Sequence, residues 1–229
     1  LERKVIAIIT AAGSGLRFSG QSKNSVPKQF LKILNNPIIS FPLLAMQKCK
    51  AISGIFITSQ NKYFDFLHNL AAKNKITKLL GLVEGGATRF ESVRNAFNQI
   101  VAAPNDLILI HDAARPNINT ALLNSIIDEA KKHCEVIIGR KVLETVKRAK
   151  KDIITETISR ENLWTIQTPQ VFRYKVLKNS YSKSRKNNFT DESSLVESAG
   201  YKVKIIEGPA GNIKVTTPED LKALKMIMK

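Results

Sequence analysis

The segment Ala11-Ala12-Gly13-Ser14-Gly15-Leu16-Arg17-Phe18, followed by Pro27-Lys28-Gln29-Phe30, sets small residues and two cations just after an apolar run. Glycines and small residues let backbone N–H groups approach phosphate oxygens, and Arg17 and Lys28 can place full positive charges beside them. Gly13 and Gly15 alone would make only a tight strand-to-helix turn; with the cations, the pattern reads as a triphosphate cradle. Two competing loops fail. The dinucleotide fingerprint needs glycine or alanine where Phe18 stands, and an acid where Thr58-Ser59-Gln60 stands. The P-loop needs Gly-x-x-x-x-Gly-Lys-Ser/Thr, and no lysine in this loop holds that spacing.

Further polar clusters follow other apolar runs. Gly85-Gly86 precedes Arg89 and Ser92-Val93; paired glycines expose backbone donors and acceptors that can read a base edge, and Ser92 can add one hydrogen bond. His111-Asp112-Ala113-Ala114-Arg115-Pro116 follows an apolar strand. A carboxylate there, facing the glycine-rich loop, is the expected place for a residue helping to hold Mg²⁺ on phosphates, which makes Asp112 the candidate metal residue. His111 reads as a hydrogen-bonded structural histidine without a chemical role. Lys214 follows a glycine-bearing loop, Gly208 to Gly211, and precedes a helix start, so it reads as a functional cation rather than a solvated one.

These clusters need a scaffold that brings them to one edge. Strand and helix patterns alternate: Lys4–Thr10, Gly54–Thr58, Leu79–Val83, Asp106–Ile110 and Glu135–Gly139 as strands, with Ile38–Cys49, Lys62–Ala72, Arg89–Ile100 and Thr120–Lys132 as helices. The last helix carries Leu122, Leu123, Ile126, Ile127 and Ala130 on one face. Such alternation implies a mostly parallel sheet covered on both sides, a Rossmann-like α/β three-layer sandwich. In open sheets of this kind ligands collect beyond the carboxyl ends of the strands, so the informative residues are those just after each apolar run. From Arg140 the pattern changes. Lys141–Arg148 and Asp152–Ile158, separated by Ala149-Lys150-Lys151, predict a hairpin over 140–160 that is polar on both faces and projects to pack on something else. Tyr201–Glu207 and Asn212–Val215 read as strands. Thr217, Pro218, Glu219 and Asp220 mark the start of a final helix.

At 229 residues and 43% apolar content the chain can bury a substantial core, and no linker is evident, so a single domain over 1–229 is expected. No apolar run approaches membrane-spanning length, and Leu1-Glu2-Arg3-Lys4 leads into a strand without an apolar leader; no membrane partner and no signal peptide are expected. Cys49 and Cys134 stand apart from each other and from any histidine pair, which fits a reducing cytoplasm. The net charge of +17 favours anionic partners, macromolecular or small. The chain shows no helix-turn-helix, zinc finger, RNP-type aromatic pair or basic heptad region, so small phosphorylated molecules are expected rather than nucleic acid.

Seven blocks in order carry a resemblance. They are Ala11-Ala12-Gly13-x-Gly15-x-Arg17, Pro27-Lys28-Gln29, Gly85-Gly86 with Arg89 and Ser92-Val93, Asp112-Ala113-Ala114-Arg115-Pro116 with His111, Thr168-Pro169-Gln170-x-Phe172, Thr190-Asp191-Glu192, and Asn212 through Asp220. Together they resemble the 2-C-methyl-D-erythritol 4-phosphate cytidylyltransferases over nearly the whole chain. The resemblance implies a homodimeric enzyme of the non-mevalonate isoprenoid pathway that uses CTP and Mg²⁺. A ribitol phosphate cytidylyltransferase would share the CTP loop; Ala113-Ala114 after Asp112 favours methylerythritol phosphate.

By the same resemblance, Arg17 and Lys28 would stabilise the transition state, with Arg160 and Lys214 as further catalytic cations. Ala11, Ala12, Gly13, Ser14, Gly15, Gly85, Gly86, Arg89 and Ser92 would bind CTP. Asp112, Arg115, Thr190 and Lys214 would line the sugar-phosphate site. The hairpin would be a dimer arm delivering Thr145 and Arg160 to the neighbouring subunit. Lys141 and Glu144 stand in that arm where the family usually has proline and aspartate, and Ser193 replaces a customary alanine.

Overall fold

The structure, a computed structural model, describes residues 3–13, 26–133, 135–184 and 189–228. A seven-stranded sheet forms its centre. In chain order its strands are β1 (Val5–Thr10), β4 (Ile52–Ser59), β5 (Leu79–Glu84), β6 (Leu107–Asp112), β7 (Val136–Lys141), β10 (Trp164–Arg173) and β11 (Lys204–Glu207). Across the sheet they run β11-β7-β10-β6-β1-β4-β5. A short hairpin, β2 (Lys32–Ile33) and β3 (Asn36–Pro37), and a separate pair, β8 (Val146–Lys150) and β9 (Ile153–Ile158), stand outside it.

The pairs β1 with β4, β1 with β6, β4 with β5 and β7 with β11 are parallel. The expected mostly parallel sheet is therefore present, with one feature the alternation did not announce: β10 runs antiparallel between β6 and β7. The expected strand Asn212–Val215 is not formed. That stretch is tied down by scattered bonds, such as Val215 N–H to the Ala114 carbonyl at 2.8 Å, in place of a ladder.

Alternating side chains split the core. On β1 and β6, Val5, Ala7, Ile9, Leu107 and Leu109 point into one buried cluster, while Ile6, Ile8, Ile108 and Ile110 point into another. Helices α1 (Ser40–Lys48), α2 (Phe64–Lys73) and α4 (Thr120–His133) cover the first face, through residues such as Met46, Leu67, Ile126 and Ile127. Helices α3 (Arg89–Phe97), α5 (Tyr174–Lys183) and α6 (Glu192–Ser198) cover the second, through Val93, Val176 and Val196. Each fully buried aliphatic contributes roughly 1.5–3 kcal/mol, so trimming Ile127 to alanine should cost about 2–5 kcal/mol.

Helix starts are chemically specified. Thr88 caps α3 by accepting from the Glu91 N–H at 3.1 Å, and Asp191 caps α6 through Ser194. The final helix, α7 (Pro218–Ile227), has the expected start: Thr217 and Asp220 form a reciprocal capping box with Pro218 in the first turn. The arm turns at Lys151 and Asp152, both at positive φ (47° and 64°), one step later than expected; this is the twist that suits a two-residue hairpin turn. Both arm strands are largely exposed, and Lys141, expected in the arm, instead ends β7. Among the described residues no helix is long and apolar enough to cross a membrane.

Candidate active site

A cavity of about 520 Å³ opens beyond the carboxyl ends of β1 and β6. One wall is Ala11, Ala12 and Gly13 with Lys28; another is Gly86, Arg89 and Ser92 from the turn and first helical turn after β5; the floor carries Asp112 and Lys214. Nine of the expected site residues thus share one cavity, although 102 residues of chain separate Asp112 from Lys214. Ser14, Gly15 and Arg17 lie outside the described residues.

Gln29 joins the two halves of the cradle. Buried to 3% exposure beside Lys28, its amide nitrogen donates to the carbonyls of Ala11 at 2.6 Å and Gly13 at 2.9 Å. Gly85 packs so closely on Ala12 that a Cβ at this position would lie 2.1 Å from the Ala12 Cβ, which requires glycine there. Ser92 closes the adjacent turn, accepting from the Gly86 N–H at 3.1 Å and donating to the Thr88 carbonyl at 2.8 Å. Its hydroxyl hydrogen is committed, leaving only acceptor capacity for a ligand.

Asp112 is the electrostatic centre. One carboxylate oxygen accepts from Thr10 Oγ1 at 3.1 Å and Arg89 Nε at 3.0 Å; the other accepts from Lys214 Nζ at 2.6 Å and lies 4.0 Å from Arg115 Nε. Burial raises its pKa, but Arg89, Lys214 and Arg115 overcome that and hold the carboxyl well below the usual range. Arg115 is itself lowered by burial, and its Nη1 donates to the Asn212 carbonyl at 2.8 Å. Arg89 does not point freely at a ligand. It spans Asp112 and Glu192, the latter at 2.8 Å from Nη1; burial lowers its pKa, and the two carboxylates more than restore it.

His111 is structural, as expected. Its Nε2–H donates to the Arg115 carbonyl at 3.0 Å, which fixes the tautomer and leaves Nδ1 to accept from the Thr168 hydroxyl at 3.1 Å. Thr168 Oγ1 in turn accepts the Asp112 N–H at 3.0 Å. Full burial holds this imidazole down to about 4, so it is neutral at physiological pH.

Thr145 and Arg160 are exposed on the arm and do not line this cavity; Arg160 Nη1 donates to the Leu143 carbonyl. Thr190, also exposed, precedes the Asp191 cap. Sequence alone assigns no role to Gln29, Glu192, Thr10 or Thr168. Glu192, fully buried, reads in sequence as a first-turn acid suited to a helix dipole, and nothing local reveals its pairing with Arg89. Among the described residues no group of three or more His, Cys, Asp or Glu is placed to hold a metal ion.

Cations converge on one carboxylate opposite a glycine-lined loop, an arrangement suited to phosphate-bearing ligands and to charge building on phosphoryl oxygens. The family profile described as "IspD: 2-C-methyl-D-erythritol 4-phosphate cytidylyltransferase" matches residues 5–229. The chain is 37% identical over 222 residues to the 2-C-methyl-D-erythritol 4-phosphate cytidylyltransferase of Clostridium novyi, covering 95% of this chain and 94% of that one. It is 39% identical over 225 residues to the Nostoc punctiforme protein of the same name, covering 96% of each. Among solved structures, the Francisella tularensis 2-C-methyl-D-erythritol 4-phosphate cytidylyltransferase superposes with a TM-score of 0.81 at 31% identity, covering 97% of this chain and 99% of the other. Sequence and fold agree, and the chain belongs to the IspD family of cytidylyltransferases.

Proposed function

We propose that this chain is a cytoplasmic, homodimeric enzyme that transfers the cytidylyl group of CTP to 2-C-methyl-D-erythritol 4-phosphate, in the non-mevalonate route to isoprenoid precursors. The observation that carries the reading is the Asp112 cluster, with Lys214 at 2.6 Å, inside the cavity that Lys28 and Gly13 also line. A phosphate monoester oxygen attacks the α-phosphorus of CTP. A new P–O bond forms, the bond to the β-phosphate oxygen breaks, and pyrophosphate leaves with its electron pair. The nucleophile is already an anion near neutral pH, so no general base is required.

What the protein supplies is in-line placement and preorganised positive charge. Lys28 and Arg17 serve the triphosphate side, and Lys214 and Arg115 serve the acceptor phosphate. Asp112 keeps the two acceptor-side cations in place. Thr145 and Arg160 act across the dimer, consistent with an exposed two-faced arm that lies outside this chain's own cavity. Asp112 is the acidic side chain among the described residues that line the cavity, which suits a metal carried mainly by phosphate oxygens better than one caged by protein. Mg²⁺ bound this way would neutralise phosphate charge.

The test is pyrophosphate release from CTP with Mg²⁺, supplying methylerythritol phosphate or ribitol phosphate. Release only with an acceptor, and preference for methylerythritol phosphate, is expected; equal or faster turnover of ribitol phosphate overturns the substrate assignment.

A further inference from the structure

The charged network under the cavity extends one residue beyond the assigned site. Glu192, at the start of α6 and fully buried, accepts from Arg89 Nη1 at 2.8 Å; Arg89 Nε reaches one oxygen of Asp112 at 3.0 Å; Lys214 holds the other at 2.6 Å. We propose that Glu192 is a positioning residue for the acceptor-phosphate side: by holding the far end of Arg89 it confines that guanidinium to one Asp112 oxygen and leaves the other to Lys214. This inference rests on the cytidylyltransferase reading above.

The geometry of the guanidinium carries the argument. A planar fork beside one carboxylate prefers two parallel hydrogen bonds to it. Arg89 instead gives one N–H to each of two carboxylates, while its Nη2 and the Oε1 of Glu192 find no hydrogen-bond partner among the described residues. A two-pronged Arg89–Glu192 or Arg89–Asp112 pair would satisfy more of these atoms. Buried ion pairs with unfilled hydrogen bonds are poor sources of stability, so stability alone does not account for this one. The stretched arrangement does keep Asp112 from being gripped at both oxygens. Without the pull from Glu192, Arg89 closes on Asp112 with both prongs and displaces the Lys214 ammonium. Lys214 lines the cavity, so its displacement moves a charge that meets substrate.

The test measures steady-state kinetics and melting temperature on the full-length protein for wild type, Glu192→Gln, Lys214→Ala and the double variant. Glutamine keeps the shape and one acceptor but loses the charge that holds Arg89. Expected for Glu192→Gln is a fall in kcat/KM for methylerythritol phosphate of about ten- to a hundredfold, the scale of a misplaced reacting group, with KM for CTP within about twofold. In the Lys214→Ala background the same substitution should cost less than about twofold, because the group it positions is gone. A purely structural Glu192 gives the same factor in both backgrounds, and that result overturns the inference, as does wild-type kinetics in Glu192→Gln. If Glu192→Gln does not fold, Arg89→Lys replaces it in the same cycle, since lysine cannot bridge two carboxylates with a rigid fork. Absence of turnover by wild type with CTP and methylerythritol phosphate would instead defeat the functional reading, and this inference with it. Wild-type turnover combined with equal factors in both backgrounds defeats the inference alone.

Discussion

Replacing Gln29 by methionine tests how the cradle is held together. Methionine has nearly the shape of glutamine and no N–H, so the substitution removes two hydrogen bonds, at 2.6 and 2.9 Å, with little change in packing. The two abandoned carbonyls differ. Ala11 is buried, and its oxygen would lose a donor where water enters poorly, at a cost of about 1–3 kcal/mol. Gly13 is exposed and water can replace the amide, so only the net worth of an ordinary hydrogen bond is lost, roughly 0.5–1.5 kcal/mol. The sum is about 1.5–4.5 kcal/mol. For a chain of this size, that lowers the melting temperature by roughly 3–18 °C. Urea unfolding at neutral pH, with unchanged slope, measures the loss directly. Turnover should also fall at a temperature where the variant is fully folded, because Lys28 is the preceding residue. A loss below about 1 kcal/mol with wild-type kcat would refute the account of Gln29 as the tie between β1 and Lys28.

Three further outcomes are expected. Lys28→Ala should lower kcat by about a hundredfold, the scale of losing one preorganised donor, with a much smaller effect on CTP binding; an unchanged kcat with raised KM would instead mean uniform binding. Mixing inactive Arg17→Ala and Arg160→Ala proteins and letting subunits exchange should restore about a quarter of wild-type activity, since half the dimers become mixed and each holds one intact site; exchange verified by tagged co-purification without recovery refutes the shared site. The third concerns acid. Because His111 has its pKa depressed to about 4, the unfolded chain, with its ordinary 6.5, takes up this proton first as pH falls. The contribution of neutral His111 is therefore present above about 6.5 and is lost progressively down to about 4, on the order of 3 kcal/mol in all. Urea unfolding of wild type and His111→Asn at a series of pH values should show a shallower dependence in the variant; parallel curves refute the assignment.

How much of this was legible in sequence depended on whether a signal was local. The uninterrupted apolar run ending at His111-Asp112 marked a strand buried on both faces, and β6 is that strand, prolonged through both polar residues because Thr168, Arg115 and Lys214 satisfy them. The face of α4 and the Thr217-Pro218 start were equally readable, one from spacing and the other from capping chemistry. Strand β10 was missed because Gln167-Thr168-Pro169-Gln170 interrupts the pattern in mid-strand, at the irregularity between Ile166 and Gln170; Asn212 donates to Gln167 and Thr168 there, and Asp191 accepts from Gln170. Asn212–Val215 misled in the opposite way. Its β-branched residues suit an extended chain, but Asn212 spends its amide on Gln167 and Thr168, and the segment straps the site instead of joining the sheet. The candidate site was placed by a rule about strand ends. Glu192 escaped it because its partner Arg89 lies 103 positions away.

The position of β1 also shapes how the molecule assembles. It lies between β4 and β6, and Thr10 meets Asp112 across 102 positions of chain. β10, which supports the other side of β6, comes later still. Parallel pairings of this range make for high contact order, and loop-closure entropy has to be overcome before any of these contacts reward it. Val5, Ile6, Ile8 and Ile9 therefore spend the early part of folding as an apolar strand with an open edge, free to join the same strand in another molecule. Refolding yield should be limited by that competition, falling as protein concentration rises, and a chaperone that shields the Val5–Thr10 strand would act on the yield rather than on the stability of the finished enzyme.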